Sequence, residues 1–256
     1  MSANFLIAIF VLLANLWIWK IFSLSLILGL LTLLSAGLLY MAVNNRSNRK
    51  IATRFIITFV LLIFFQWRTT QPASLTLLDN DQQRIQQMRL NEYPPISIDL
   101  SGKKIWIPIA HWFEGRKETI AIFRIQKNFS EAVDPMLYFS ANHPRERVGI
   151  TEFEKFPYIL FPFFVIGLYT LSKKMNDKNL LLSIFTPLVL IAIMGSKNPF
   201  GPFALFPFLS VVISSGLIFA YQKIKSFKKE KVVRILITAS LIYILIFLQV
   251  ISYARY

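Results

Sequence analysis

The sequence predicts an all-α polytopic membrane protein with about seven transmembrane helices and a small mixed α/β extracytoplasmic segment. Of its 256 residues, 55% are hydrophobic and only 16% are charged, whereas soluble domains carry roughly 25% charged residues. Most of the net charge of +15 is concentrated in short loops between long apolar runs. This composition excludes a soluble enzyme, a nucleic-acid-binding module and a disordered chain. Because the chain contains no cysteine, disulfides and thiolate chemistry are excluded as well.

Residues 1–67 are predicted to form three transmembrane helices, at about 3–18, 21–43 and 51–67. The apolar run that begins the chain is too long for one span, because about 20 residues cross a hydrocarbon core of about 30 Å. Trp17, Trp19 and Lys20 favour the bilayer interface, and they therefore predict a turn between the first two helices. No basic stretch precedes this run, so we expect a membrane anchor rather than a cleaved signal peptide.

Residues 156–256 are predicted to form four further spans, at about 156–171, 179–194, 202–221 and 232–253. The first two of these are short, at roughly 24 Å for sixteen residues, and Pro162 and Pro187 are expected to kink them. No Asp, Glu or His lies inside any of the predicted spans. Ion-coupled transporters normally keep an ionisable group at membrane depth, so this pattern argues against such a transporter.

The orientation follows from the basic loops 44–54, 172–178 and 222–234, which together carry +11 of the net charge. Alternate crossing places these loops on one side of the bilayer, and basic loops stay cytoplasmic. Residues 68–155 contain twelve basic and eleven acidic residues and are nearly neutral. We therefore expect a plasma membrane protein whose 68–155 segment is extracytoplasmic and whose basicity reflects topology rather than a nucleic-acid partner.

The segment 68–155 is predicted to contain two helices and a β-hairpin. Residues 76–92 have helical character, with one apolar edge suited to lying on the bilayer. Residues 96–109 alternate apolar and polar side chains around Ser101-Gly102, which indicates a hairpin. Residues 116–133 return to helical spacing and place Ile122, Ile125, Phe129 and Val133 on one side.

Asp79-Asn80-Asp81 forms a D-x-D pattern shortly after the third predicted span. Paired carboxylates of this kind hold a divalent cation through hard oxygen ligands, as in sugar-nucleotide transferases. Asp79 and Asp81 are therefore candidate metal ligands, and either is a candidate catalytic base. The alternative is structural, because acids and an N-cap are expected in the first turn of a helix.

The densest polar cluster is His143-Pro144-Arg145-Glu146-Arg147. Arg145 and Arg147 could grip a phosphate group bidentately. His143 and Glu146 are candidate catalytic residues, because an imidazole and a carboxylate can move protons near neutral pH. The alternative is a loop held by an Arg–Glu pair, since surface ion pairs are common and contribute little.

A third candidate is Lys197, in the Gly- and Pro-rich stretch 195–202 between the predicted fifth and sixth spans. This stretch is a turn by composition, and Lys197 would face the same side of the membrane as Arg145 and Arg147. It could add a third positive charge to an anion site. No Walker motif, dinucleotide fingerprint or zinc-protease motif occurs in the chain.

Residues 134–220 resemble the later part of polytopic GT-C glycosyltransferases, the protein-O-mannosyltransferase-like enzymes that use polyprenyl-phosphate-linked sugars. The resemblance rests on DPMLYFSANHPRERVG, the following apolar EFEKFPYILFPFFVIGLY, and TPLVLIAIMGSKNPFGPFALFPFLSVVISSGL. In that family, basic residues of such loops meet the phosphate of the lipid-linked donor. The resemblance therefore implies that Arg145, Arg147 and Lys197 bind a polyprenyl-phosphate sugar.

The chain departs from that family in its first predicted outer turn, where the enzymes carry a catalytic acid. Here the turn offers only Trp17, Ile18, Trp19 and Lys20, and the family usually has eleven or more spans. Either Asp79 or Asp81 substitutes for that acid, or the chain is a truncated or accessory relative, which we favour. The second hypothesis is a noncatalytic membrane scaffold whose outer segment docks a protein partner. Membrane lipids are expected partners under both.

Overall fold

The computed structural model describes nine stretches of the chain and, beyond them, scattered positions between 238 and 248. The stretches are residues 3–45, 48–69, 74–78, 80–93, 95–109, 116–140, 155–173, 177–194 and 203–226. Most of the residues in these stretches are helical, and two short strands form a small sheet. The predicted fold class, a helical protein with a small mixed segment, is confirmed at this level.

The first part of the chain forms four helices: α1 Ala3–Leu13, α2 Leu16–Leu24, α3 Leu26–Asn44 and α4 Arg49–Thr69. The middle part contains α5 Asn80–Glu92, β1 Ile96–Leu100, β2 Lys103–Ile107, α6 Lys117–Val133 and α7 Met136–Phe139. The last part contains α8 Phe161–Ser172, α9 Lys178–Met194 and α10 Phe206–Ser226, with one turn of 3-10 helix before α8 and before α10.

Helices α3 and α4 and the stretch Phe203–Lys225, which includes α10, are long and apolar enough to cross a membrane. Helices α8 and α9 are apolar but shorter, and α1 and α2 together qualify only as a bent pair. Among the described residues, the structure therefore supports three to four spans by length, and the predicted seven are not confirmed. Of the predicted last span, 232–253, only scattered positions are described.

The turn predicted around residues 17–20 is a helix of its own. Helix α1 ends at Leu13, and α2 leaves it at an angle of 76°. The Asn15 side chain makes this break, because its Oδ1 accepts a hydrogen bond from the Trp17 backbone N–H at 2.8 Å. Ser25 then ends α2 and caps α3 through a bond from the Leu28 N–H. The prediction of one continuous span at 3–18 is therefore wrong, because this part of the chain is divided between two helices, α1 and α2.

One of the two prolines predicted to kink a helix, Pro162, does not lie in the interior of a helix. Pro162 lies in the first turn of α8, where its missing N–H would have no intrahelical acceptor in any case. It therefore starts the helix rather than bending it. Pro187 lies inside α9, where it removes one backbone hydrogen bond.

The core of the bundle is the crossing of α8 and α10. A Cβ atom added at Gly167 would overlap the carbonyl oxygen of Val212, and one added at Gly216 would overlap that of Phe163. The two backbones therefore touch directly, which only glycine allows at these two positions. Helix α10 also packs against α1 and α3, so this contact sets the position of the central helix.

The hairpin forms as predicted. Strands β1 and β2 are antiparallel, with Ile96 paired to Ile107 and Leu100 to Lys103. Ser101 and Gly102 both have positive φ, at 54° and 84°, as a two-residue type I′ turn requires. The predicted helices at 76–92 and 116–133 are likewise present, with later starts at Asn80 and Lys117.

A buried lysine joins the polar middle segment, residues 68–155, to the first helices. Lys155 is 1% exposed, and its Nζ donates a hydrogen bond to the Leu137 carbonyl oxygen at 3.0 Å. The same ammonium lies 4.9 Å from the centre of the Trp17 ring, where a desolvated cation is attracted strongly. Its carbonyl oxygen accepts a bond from the Leu16 N–H at 2.9 Å. Lys155 thereby holds α7 and the start of α2 together.

The glycine contact predicts a graded response to added methyl groups. Gly167→Ala and Gly216→Ala should each lower the free energy of unfolding by about 3 kcal/mol, because a backbone carbonyl must move to make room. Gly29→Ala is the matched control, since its Cβ would meet only the ring of half-buried Phe22, which can rotate. Thermal unfolding in detergent measures the difference. Equal losses for all three variants would contradict the backbone contact.

Lys155 and Lys20 both lie over the Trp17 ring, and we predict that they contribute unequally to the free energy of unfolding. Lys155→Ala should lower the free energy of unfolding by about 2–4 kcal/mol, because it empties a buried volume and removes the bond to Leu137. Lys20→Ala should cost less than about 1 kcal/mol, although Lys20 Nζ lies 4.2 Å from the Trp17 ring, since Lys20 is only half-buried. Unfolding of both variants in the same detergent checks this order, and a reversed order would refute it.

Candidate functional site

Most of the site residues predicted from the sequence lie outside the described residues. These are Asp79, His143, Arg145, Glu146, Arg147 and Lys197. Asp81 occupies the second position of α5, and its side chain is not described. Within the stretches that the structure describes, no three His, Cys, Asp or Glu side chains converge as a metal site would require. The proposed roles of these residues therefore remain predictions.

The described residues next to two of those segments meet in one aromatic cluster. Phe139, just before residues 141–154, has its ring centroid 5.9 Å from that of Phe156, just after them. Phe156 in turn lies 5.9 Å from Phe206, which follows residues 195–202. The chain positions that lead into the segments carrying Arg145 and Lys197 are thus neighbours in the fold.

A buried glutamine tethers the same end of the bundle. Gln66, near the end of α4, accepts a hydrogen bond from the Ala204 N–H at 2.8 Å through its Oε1. Ala204 belongs to the turn of 3-10 helix before α10, where backbone N–H groups need acceptors. Gln66 thereby connects the end of α4 to the start of α10.

A groove between α5 and α6 is the strongest candidate site within the described residues. It has a volume of about 410 Å³ and is open to solvent. Arg124 of α6 lines it, and its guanidinium donates to the Gln82 Oε1 at 2.7 Å and also to the Ser74 carbonyl oxygen. One side chain therefore connects α6 to α5 and to the chain that precedes α5.

The polar wall of the groove is cationic. Arg89, Arg124 and Lys127 line it together with the amides of Gln82 and Gln86, and no carboxylate is among its described lining residues. Guanidinium groups bind phosphate oxygens through charge-assisted hydrogen bonds, and amides can donate to the same oxygens. The arrangement can therefore accept a phosphate or carboxylate group.

The floor of the groove is apolar. Leu78 and Ile85 contribute from the α5 side, and Ile120 and Phe123 contribute from α6. An anion that is covalently joined to a hydrocarbon chain satisfies both surfaces at once, because its charge meets the cations and its chain covers the apolar floor. A free inorganic ion would leave that floor exposed to water.

One carboxylate lies close to the cationic wall. Glu131 Oε1 is 3.8 Å from Lys127 Nζ, one turn further along α6, and the Lys127 side chain is 71% exposed. An exposed pair of this kind contributes little energy. Lys127 can therefore exchange this contact for a ligand phosphate at low cost.

The groove includes residues that sequence reasoning interpreted differently. The sequence predicts that Ile85, Met88 and Leu78 form an apolar edge suited to lying on the bilayer, and the structure places Leu78 and Ile85 in the lining of the groove. A sequence signal does exist, because Gln82, Gln86 and Arg89 share one face of α5 at helical spacing. Their partners Arg124 and Lys127 lie on a second helix, whose pairing with α5 no local pattern indicates.

Comparison with known proteins adds no assignment. No protein-family model matches the chain, and neither a curated protein nor a solved structure shows significant similarity to it.

Proposed function

We propose that this chain is a multi-pass membrane protein that binds a lipid-linked phosphate at the outer membrane face. Its relation to GT-C glycosyltransferases, its seven spans and its plasma membrane location are part of the proposal. The lipid is of the polyprenyl-phosphate-sugar class that the resemblance implies. The observation that carries the proposal is the groove between α5 and α6, whose lining combines three cations with four apolar side chains.

The position of the groove supports a lipid as the source of the phosphate. Helix α6 packs against α9, an apolar helix of the bundle, and the Asn128 amide donates to the Ala192 carbonyl oxygen at 3.1 Å. Ala192 is near the end of α9 that leads toward Lys197. With the three basic loops in the cytoplasm, this end of α9 and the groove lie on the outer side.

The proposed role is binding rather than transfer. The sequence from residue 1 to residue 78 contains no Asp or Glu, so the first outer turn lacks the acid that GT-C enzymes use. Asn15 lies at the break between α1 and α2, where its side chain is buried and its Oδ1 accepts a hydrogen bond from the Trp17 N–H. An amide cannot act as a general base. We therefore favour an accessory or truncated relative that presents a lipid-linked donor to a catalytic partner.

The hairpin supports a second candidate function, a scaffold that docks a protein. Ile96, Ile98, Leu100, Ile105 and Ile107 share one face of the two strands, and the four at positions 96, 98, 100 and 105 are exposed. A two-stranded sheet is marginally stable alone, so an aliphatic face of this size favours a covering surface. A protein partner that adds a strand or a helix would provide such a cover.

The proposal predicts that the affinity for a lipid phosphate depends strongly on the positive charges of Arg89 and Lys127. Arg89→Ala with Lys127→Ala should weaken binding of farnesyl phosphate to the full chain in nanodiscs by at least about tenfold. The reason is that hydrogen bonds to charged groups contribute about 1.5–3 kcal/mol each, and 1.4 kcal/mol is a factor of ten in affinity. Native mass spectrometry of the protein–lipid complex provides the measurement.

Arg84→Ala with Lys117→Ala is the matched control for that experiment. It removes the same two charge types from the same two helices, but neither residue lines the groove, so affinity should stay within about twofold. Farnesol and inorganic phosphate are the two ligand controls, and both should bind more weakly than farnesyl phosphate. Equal losses in both double variants, or tight binding of farnesol, would contradict the proposal.

Arg145→Ala with Arg147→Ala tests the second set of predicted phosphate ligands. If these residues assist the groove, retention of farnesyl phosphate should fall further in this variant, because two bidentate donors are lost. If retention falls only here and not in the groove variant, the phosphate site lies in residues 143–147 instead. Under the scaffold function, neither change would release a protein partner in a pull-down experiment.

A further inference from the structure

Helix α6 presents three different sides. One side packs on α9, with Ala132 buried and Asn128 bonded to the Ala192 carbonyl oxygen. A second side, which includes Ile120 and Lys127, forms the groove with α5. Because successive residues turn by about 100° in a helix, a third side remains, roughly opposite the groove and next to the α9 contact.

This third side is a stripe of large apolar residues. Ile122 is 63% exposed, Phe129 43% and Val133 49%. They lie on one face because they are spaced by seven and four residues, or whole helical turns. Met136, just beyond the helix, continues the stripe and is 45% exposed. Soluble surfaces rarely carry such a continuous apolar stripe.

The neighbouring helix shows which medium covers the stripe. Helix α9 exposes Phe185, Val189 and Ile193 along one face, and it packs in the bundle beside the helices of bilayer length. Helix α6 lies directly against α9, so an exposed apolar stripe occurs on each of two contacting helices. Acyl chains that covered the α9 stripe would be within reach of α6.

We propose that α6 is an interfacial helix, with Ile122, Phe129 and Val133 resting on the acyl chains of the adjacent leaflet. The opposite side of the helix then holds Arg124 and Lys127 at the level of the headgroups, where cations are stable. This membrane-docking surface goes beyond the proposed function and does not depend on which ligand the groove takes.

The absence of cysteine from the chain permits a direct test. Ile122→Cys, Phe129→Cys and Val133→Cys are each labelled with a fluorophore in the full chain, which is reconstituted in phosphatidylcholine–phosphatidylglycerol vesicles. Ser130→Cys is the control, because Ser130 is exposed on the same helix outside the stripe. Quenching by nitroxide-labelled lipid should be at least threefold stronger at the three stripe positions than at Ser130. Quenching by aqueous iodide should show the reverse order.

Two outcomes would overturn the inference. Iodide quenching at the stripe as strong as at Ser130 would show that this side faces water. Protection of the stripe from both quenchers would show that protein covers it instead. The quenching pattern should persist in Arg89→Ala with Lys127→Ala, because those residues face the groove. If the cysteine variants without the groove substitutions bind farnesyl phosphate but lack the quenching pattern, the interfacial helix is refuted and the proposed function is not.

Discussion

The direct backbone contact between α8 and α10 is the constraint on which the rest of the bundle depends. Gly167 and Gly216 bring each helix against a carbonyl oxygen of the other, so α10 can occupy the centre and touch α1, α3 and α8 together. Within a bilayer, burial from water does not distinguish one helix partner from another. Close packing of small residues therefore selects the partners. The Ser210 and Ser214 hydroxyls donate to backbone carbonyl oxygens in the preceding turn of α10. These two buried hydroxyls therefore find their hydrogen-bond acceptors within the helix itself.

Among the described residues, two polar contacts of different chemistry help to attach the polar middle segment to this bundle. Lys155 fixes its end through a desolvated ammonium over Trp17 and a bond to Leu137. Asn128 fixes α6 through a single bond to the Ala192 carbonyl oxygen of α9. Both side chains also satisfy a backbone carbonyl oxygen, that of Leu137 within the segment and that of Ala192 in α9. Such a group is costly to leave unpaired where water is scarce. The two contacts hold the groove beside the apolar helices.

Helix α6 carries both the apolar stripe and two of the cations that line the groove. Its stripe of Ile122, Phe129 and Val133 and its cations Arg124 and Lys127 lie on different sides of the same short cylinder. The interfacial position that we propose for α6 would bring apolar contact to one side and headgroup contact to the other. Arg124 also bonds to Gln82, which couples the position of α5 to that of α6. The groove, the interfacial helix and the α9 contact thus form one assembly built around α6.

The sequence by itself determined the helical class, the hairpin with its Ser101-Gly102 turn, and the two amphipathic helices of the middle segment. These features depend on local periodicity and on turn chemistry, which a single stretch of chain carries. The break at Asn15 and the separate helix α2 were missed, because one capping side chain overrides a continuous apolar run. The pairing of Gln82 and Arg89 with Arg124 and Lys127 was also missed, since it joins residues about forty positions apart on two helices. Only the tertiary structure decided that pairing, because hydrophobic spacing shows which side of a helix is buried and not which helix covers it.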